Sequence, residues 1–232
     1  MKFNHLTKRD GLSSATVNYI FQDRKGYMWF GTMDGLSRFD GHNFVNYKHN
    51  TKDSTTIREN FVTSIAEDSK GKIWVGTRSS GISVLDYESG KFTHYHTDAQ
   101  EGFKIHANII NNLYIDDQDN VMALVGGYGL EVYYQGADSF FHFDTNDSSG
   151  LRNNRLIDIQ QATNGKFYLS TSGGSLEVFD LEAGKFEQIV FDENNKRSDG
   201  GFRPLLEDSK GNLWIGGTNG VHMMNTSTGR KA

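Results

Sequence analysis

Side chains capable of metal binding are spread along the 232-residue chain and do not form one compact motif. His94 and His96 are two residues apart in a predicted strand, so they share a face that a metal ion could use. The densest acidic cluster is 116–120, and hard cations such as Ca²⁺ bind several oxygens. A simpler interpretation is favoured for both, an exposed outer strand for the histidines and turn formation for the acids. We therefore predict no metal and no cofactor.

Catalysis requires a nucleophile with a base, a metal cluster or paired acids. The sequence contains neither a Gly-x-Ser-x-Gly nucleophile motif nor a His-Glu-x-x-His zinc motif. His106 combined with Glu59 or Asp34 is the one group that could serve a lyase or hydrolase. We predict that the chain is not an enzyme and keep a lyase or hydrolase as an alternative.

Charge and composition exclude several classes of partner. The net charge is −5 and no block of Lys or Arg stands out, which argues against nucleic-acid binding. No apolar run approaches the ~18 residues of a membrane span, so we expect membrane attachment only through parts outside this sequence. The sequence has no signal peptide, and the absence of cysteine leaves the compartment open.

An internal repeat organises the whole chain. Turn residues recur at Gly26, Gly71, Asn120, Gly165 and Gly211, with spacings of 45, 49, 45 and 46 residues. Each copy predicts four short strands, here called A to D, for example strand A at 17–22 and strand D at 44–47. Four antiparallel strands repeated at this period are typical of β-propeller blades, which bury each other's faces.

The repeat predicts an all-β fold, a single β-propeller domain over 1–232 with five four-stranded blades. The fifth copy ends where its strand D would begin, and 2–6 resembles a strand D, so we expect the N-terminal strand to complete the last blade. Trp29, Trp74 and Trp214 recur at one place in strand B and are predicted to pack between blades. The predicted repeats are 12–47, 57–95, 106–143, 152–189 and 200–229.

The strand B region of three copies carries a recognisable signature. Residues 26–32 with 35–40, 71–77 and 211–217 resemble the two-component regulator propeller repeat, with its Trp-Ile-Gly-Thr core followed by Gly-Leu-x-Arg-Tyr-Asp. The resemblance implies the periplasmic sensor region of a Bacteroides-type hybrid two-component histidine kinase. Many such regions sense oligosaccharides. It also implies that this chain is a fragment of a larger propeller region.

A ligand site is expected where the B–C and D–A loops of a propeller gather on one face. These loops mix arginine, asparagine and an aromatic, which suits an oligosaccharide or another small polar or acidic ligand. The alternatives are a protein-interaction scaffold using the same face, and a homodimer. The predicted ligand-binding residues are Asp34, Arg78, Tyr128, Asn154, Arg155, Arg203 and Asn219.

Overall fold

The computed structural model describes residues 5–100, 102–137, 139–191, 204–218 and 220–231. Within these residues the fold is all-β, with one short 3-10 helix at Lys8–Asp10. No helix in the described ranges has the length and apolar character needed to cross a membrane. The predicted fold class is confirmed.

The strands follow the predicted repeat in chain order, and each group below is one blade. Blade 1 contains β1 (Val17–Gln22), β2 (Met28–Thr32), β3 (Gly35–Phe39) and β4 (Phe44–Tyr47). Blade 2 contains β5 (Val62–Glu67), β6 (Ile73–Thr77), β7 (Ile82–Asp86) and β8 (Lys91–Tyr95). Blade 3 contains β9 (Ile110–Ile115), β10 (Val121–Val125), β11 (Gly129–Tyr133) and β12 (Phe141–Phe143). Blade 4 contains β13 (Leu156–Gln161), β14 (Phe167–Thr171), β15 (Ser175–Asp180) and β16 (Lys185–Val190). Blade 5 contains β17 (Leu205–Glu207), β18 (Asn212–Gly217) and β19 (Gly220–Asn225).

Strand order within every sheet follows the sequence, so each blade is a meander of antiparallel hairpins. Blades 1 to 4 have four strands, and blade 5 has three in the part of the chain that is described. Beyond β19, Lys231 forms an isolated antiparallel bridge with Met224. The N-terminal strand predicted to complete this blade lies mostly on 1–4, outside the described residues, and His5 and Leu6 are not in a strand.

The hairpin between strands A and B is held by the aspartate that precedes it. In blade 1, Asp23 Oδ1 accepts hydrogen bonds from the backbone N–H groups of Lys25 (3.0 Å) and Tyr27 (2.9 Å). Asp23 Oδ2 accepts from the indole Nε1–H of Trp29 at 2.7 Å. One carboxylate thus accepts hydrogen bonds from both the turn backbone and the tryptophan indole. This explains the Asp-x-x-Gly-x-x-Trp spacing. Asp68 with Trp74 and Asp208 with Trp214 repeat it, each with an Nε1–Oδ2 distance of 3.0 Å.

The chain forms two compact units. One comprises Met1–Ala123 and Tyr133–Phe140, and the other comprises Leu124–Val132 and Phe141–Ala232. In the first unit, Trp29 and Leu36 of blade 1 pack with Ile65, Val75 and Phe92 of blade 2 in one core cluster. In the second, Leu176 and Val178 of blade 4 pack with Leu213 and Ile215 of blade 5. Neighbouring blades thus bury each other's apolar faces within each unit.

Glycine in the Trp-x-Gly motif is required by the close approach of the next blade. A β-carbon on Gly31 would lie 2.6 Å from Val62 Cγ1, and one on Gly76 would lie 2.7 Å from Ile110 Cγ2. Such distances are shorter than atoms tolerate, so the glycine lets strand A of the following blade pack directly onto strand B.

The tryptophans do not all have the predicted environment. Trp29 and Trp74 are buried and stack on Tyr47 and Tyr95, with ring centroids 5.8 and 5.5 Å apart. Trp214 is 41% exposed, so the prediction of packing between blades is wrong for this residue. The physical reason is that Trp214 lies on a face of blade 5 that is largely exposed, together with Leu206 and Val221, although its indole still donates to Asp208.

Candidate functional site

The loops that connect strand D of one blade to strand A of the next carry a repeated triplet. A cationic or imidazole side chain stands two positions before an asparagine in 58–60, 106–108 and 152–154, at spacings of 48 and 46 residues. Arg58 and Arg152 were not among the residues predicted to bind the ligand, and His106 was named only as part of an alternative catalytic group. The spacing is the signal that would have identified them.

The asparagine of each triplet has a structural function. The carbonyl groups of Asn60, Asn108 and Asn154 accept hydrogen bonds from the N–H groups of Gly35, Gly81 and Gly129 at 2.7, 2.9 and 3.1 Å. Their side-chain oxygens accept from the N–H groups that follow strand D, those of His49, Thr97 and Thr145, at 2.8, 3.0 and 2.9 Å. The asparagine thereby fixes the loop backbone next to the start of strand C.

A polar pair between strands C and D, whose strand C member is completely buried, supports the first residue of the triplet in two of the loops. The cross-strand pairs are Ser37 with Asn46, Ser83 with His94, Glu131 with His142, and Glu177 with Gln188. Their side chains are hydrogen bonded at 2.6, 3.0, 3.1 and 2.8 Å. The N–H of Arg58 donates to Ser83 Oγ at 3.3 Å, and the backbone of Arg152 is hydrogen bonded to Glu177. The Arg58 and Arg152 side chains therefore project from a backbone that is hydrogen bonded both at the arginine and at the asparagine two positions on.

Two cavities contain these side chains in the first unit. The first, of about 220 Å³, is lined by His49, Asn50, Thr51, Asp53, Ser54, Thr56, Arg58 and His94. The second, of about 230 Å³, is lined by Gly102, Lys104, Ile105, His106, Ser139 and Phe140. Both lie beside a D–A loop and combine a nitrogen base with hydroxyl groups. We call them the first and second loop cavities.

Charge in the first loop cavity comes from Arg58 and Asp53. Burial lowers the pKa of His94, and the Arg58 guanidinium lowers it further, so this imidazole is neutral at pH 7. Both His94 ring nitrogens have partners, Ser83 Oγ at 3.0 Å and the Ser54 carbonyl at 3.1 Å, so the ring is held by the fold. The pKa of Asp53 is lowered by hydrogen bonds from the Thr55 side chain and backbone, which keeps it ionised. Among the described residues no carboxylate pairs with the Arg58 guanidinium.

The predicted site residues in the first unit lie at its B–C loops. Asp34 Oδ2 is 2.6 Å from Lys48 Nζ, and Asp34 Oδ1 accepts from Asn60 Nδ2 at 3.4 Å. The guanidinium of Arg78 lies over the Phe61 ring, 5.0 Å from its centroid. Both B–C loop residues therefore contact the same D–A loop, 48–61, which follows blade 1 and precedes blade 2.

The predicted site residues in the second unit differ in exposure and function. Tyr128 is 53% exposed. Asn154 belongs to the structural asparagines described above, whereas Arg155 is exposed and its described hydrogen bonds are made by its backbone alone. Arg203 and Asn219 lie outside the described residues.

The carboxylates named as alternative catalytic or metal-binding groups are engaged in other contacts. Glu59 accepts from the backbone and hydroxyl of Ser79 at 2.7 and 2.9 Å, and Asp34 is paired with Lys48. Asp116 accepts the backbone hydrogen bonds of its own turn, and Asp119 accepts hydrogen bonds from the backbone N–H and the hydroxyl of Ser69. These carboxylates therefore perform turn and loop functions.

The side chains of Asn154 and Arg155 have different functions in the same loop, and this difference gives a direct prediction. Replacing Asn154 by alanine removes the hydrogen bonds to the backbone and hydroxyl of Thr145, so we expect a loss of about 1 kcal/mol in the free energy of unfolding. Arg155→Ala serves as the control because its side chain has no described partner, and its effect should stay within about 0.5 kcal/mol. Urea unfolding of the two variants tests this. Equal losses would contradict the structural function of Asn154.

Comparison with known proteins finds a similarity in three segments of the repeat. Three segments, 11–34, 56–79 and 198–219, match the two component regulator propeller. Over 55 residues the chain is 51% identical to histidine kinase P4 of Formosa agariphila, which corresponds to 24% of this chain and 4% of that protein.

Solved structures with the same fold include extracellular domains assigned to two hybrid two component systems of B. thetaiotaomicron. For BT3049 the TM-score is 0.64 at 22% identity, covering 97% of this chain and 35% of that one. For BT4673 the TM-score is 0.74 at 19% identity, covering 94% and 30%. A streptogramin B lyase also matches, with a TM-score of 0.70 at 14% identity, covering 96% and 69%. The chain spans about a third of the two extracellular domains, and at these identities the likeness concerns the fold alone.

Proposed function

We propose that this chain, whose three matched segments are two component regulator propeller repeats, is a ligand-sensing part of an extracytoplasmic receptor in a hybrid two-component signalling protein. The 55-residue similarity to a histidine kinase supports a signalling context. The likeness in fold to bacterial extracellular domains supports a location outside the cytoplasm, which we propose to be the periplasm. Kinase activity would then belong to other parts of the full-length protein.

The ligand that best suits the loop cavities is a carbohydrate, and in particular one that carries a carboxylate or sulfate. The observation that carries this proposal is the Arg58 guanidinium, which lines a polar cavity and is anchored through its backbone to Ser83. A guanidinium binds carboxylate or sulfate through two parallel hydrogen bonds. The hydroxyl and amide groups of Asn50, Thr51 and Ser54 around it can pair with sugar hydroxyls.

Binding of acidic oligosaccharides tests the proposal. Uronate-containing, sulfated and neutral oligosaccharides would be added singly, and both the melting temperature and the calorimetric affinity measured. We expect one acidic oligosaccharide to raise the melting temperature by several degrees. Arg58→Gln should weaken its binding about tenfold or more, because a charge-assisted pair is replaced by a neutral one.

Lys52→Gln is the matched control, since it removes the same charge from the same exposed loop but does not line the cavity. Its affinity should equal that of the unchanged chain. Equal weakening by both substitutions would show that the loop acts only through net charge. If no oligosaccharide binds, the proposed ligand class is wrong for this part of the protein.

A further inference from the structure

A third cavity lies on the other side of the loop segment that borders the first loop cavity. It has a volume of about 220 Å³ and is enclosed by the end of β4, the D–A loop that follows, and the start of β8. Asp53 and Thr56 line both cavities, so the two are contiguous across the segment 53–56. We call it the Tyr47 cavity, and the lining residues that matter below are Tyr47, Lys48, Asp53, Ile57, Gly90 and Phe92.

Tyr47 provides an aromatic wall whose position is fixed by the core of blades 1 and 2. Its ring stacks on Trp29 and meets Phe92 edge-on, with ring centroids 5.8 Å apart in both pairs, while the side chain itself is half-buried. Ile57 and Phe92 are at most 5% exposed and continue the apolar lining. An aromatic ring that is already held in place can pack against the C–H face of a sugar ring at a small ordering cost.

Two polar groups of the Tyr47 cavity can bind hydroxyl groups. Asp53 Oδ1 accepts from the N–H and the hydroxyl of Thr55 at 2.9 and 2.7 Å, and in the described part of the chain no donor is hydrogen bonded to Oδ2. The Tyr47 hydroxyl also has no hydrogen-bond partner among the described residues. A carboxylate oxygen that accepts and a phenol that donates together suit the hydroxyl groups of a sugar ring.

The charges of the Tyr47 cavity favour an uncharged sugar. Lys48 Nζ is 2.6 Å from Asp34 Oδ2, so its charge is offset. The ionised Asp53 carboxylate would repel a carboxylate or sulfate group placed beside it. Arg58 lines the first loop cavity and not this one. An acidic group therefore fits on the Arg58 side of the segment 53–56, and a neutral ring fits on the Tyr47 side.

The size of the cavities points in the same direction. Each has a volume of about 220 Å³, whereas small-molecule sites in proteins have volumes of ~300–1,000 Å³. Neither cavity alone reaches this range, but the two together do. Because Asp53 and Thr56 form their common border, one ligand can contact both.

We propose that the two contiguous cavities bind two linked sugars, an acidic sugar at Arg58 and an uncharged sugar ring against Tyr47. The inference rests on the proposed function, because the acidic sugar is the ligand proposed for the first loop cavity. It adds that a single acidic sugar fills only part of the site. Asp53 Oδ2 and the Tyr47 hydroxyl bind hydroxyl groups of the neutral ring in this arrangement.

Calorimetric titrations with glucuronate and with two disaccharides, in which glucose is linked to either end of glucuronate, test the proposal. We expect one disaccharide to bind about tenfold more tightly than glucuronate. Tyr47→Phe keeps the ring but removes the hydroxyl, so it should weaken binding of that disaccharide by about threefold to tenfold and reduce its advantage over glucuronate. Gly90→Asn adds a side chain at a cavity position where a β-carbon has open space, and it should weaken the same disaccharide by a similar factor.

Gly184→Asn is the matched control for Gly90→Asn. Gly184 has the equivalent position before strand D of blade 4, and its φ of +61° is close to the +68° of Gly90, so both substitutions carry the same backbone cost. Gly184 does not line the cavity, so the affinity for the disaccharide should stay unchanged. Circular dichroism checks that all variants fold.

Two results would overturn the two-sugar site while leaving the Arg58 site in place. One is equal affinity for glucuronate and both disaccharides. The other is a tighter disaccharide whose affinity does not change in Tyr47→Phe and Gly90→Asn, because the second sugar would then lie elsewhere. If neither glucuronate nor a disaccharide binds, the proposed function fails and this inference fails with it.

Discussion

Replacing Trp29 by alanine is expected to lower the free energy of unfolding by about 3–5 kcal/mol, the range found for completely buried large aromatics. The indole is fully buried, stacks on Tyr47 with ring centroids 5.8 Å apart, and donates to Asp23 at 2.7 Å. Its removal creates a cavity between blades 1 and 2 and leaves the buried Asp23 carboxylate without one partner. Urea unfolding followed by circular dichroism measures the loss.

Trp214→Ala is the informative comparison because the Trp214 indole, like that of Trp29, donates a hydrogen bond to the aspartate of its own turn. Its indole donates to Asp208 at 3.0 Å, but 41% of the side chain is exposed. We expect a loss of about 1–2 kcal/mol, due mainly to the hydrogen bond and the part of the ring that is buried. If both substitutions had equal effects, the turn hydrogen bond, not burial between blades, would be the main contribution of these tryptophans.

The strands could be predicted from the sequence because local chemistry specifies them. Each Asp-x-x-Gly turn fixes the end of strand A and the start of strand B, and the predicted strand A at 17–22 is the observed β1 (Val17–Gln22). The spacing of 45 to 49 residues then locates the remaining strands even in blades 3 and 4, where Ala123 and Tyr168 replace tryptophan. The exposure of Trp214 could not be predicted in this way. It depends on whether another sheet covers its face, and a repeat pattern does not contain that information.

The residues of the candidate site were harder to predict from the sequence than the strands were, for a related reason. The same residue type serves different purposes in one loop: Asn154 hydrogen bonds Thr145, while the side chain of the adjacent Arg155 is exposed. Composition suggested both as ligand contacts. The polar pairs of strands C and D were not predicted either, because Ser83 and Glu177 share a structural position but not a residue type. Only the cross-strand register shows that these positions correspond.

One of these polar pairs should make the stability of the protein depend on pH. Glu177 is completely buried in β15 and accepts a hydrogen bond from Gln188 Nε2 at 2.8 Å. Burial raises the pKa of Glu177 from 4.5 to about 7, while the hydrogen bonds from Gln188 and the Arg152 backbone and the Arg152 charge oppose this. The folded state therefore holds the proton more tightly than the unfolded state does.

The direction of the effect follows from this difference. The stability contributed by protonated Glu177 is fully present below pH 4.5 and is lost progressively as the pH rises through about 7. The difference between 4.5 and about 7 sets an upper limit of roughly 3–4 kcal/mol, and we expect a loss of about 1–3 kcal/mol. Denaturant unfolding at a series of pH values between 4 and 8.5 measures it.

Glu177→Gln tests whether this carboxyl group is the cause. Glutamine keeps the size of the side chain and an oxygen that can accept from Gln188, but it cannot ionise. The variant should therefore lose the decline in stability between pH 4.5 and 7 and exceed the unchanged chain by about 1–3 kcal/mol at pH 8. Glu187→Gln, at an exposed glutamate on the neighbouring strand, should keep the decline. If the decline persists in Glu177→Gln, another group holds the proton, and burial of a charge between strands C and D is not what limits stability at neutral pH.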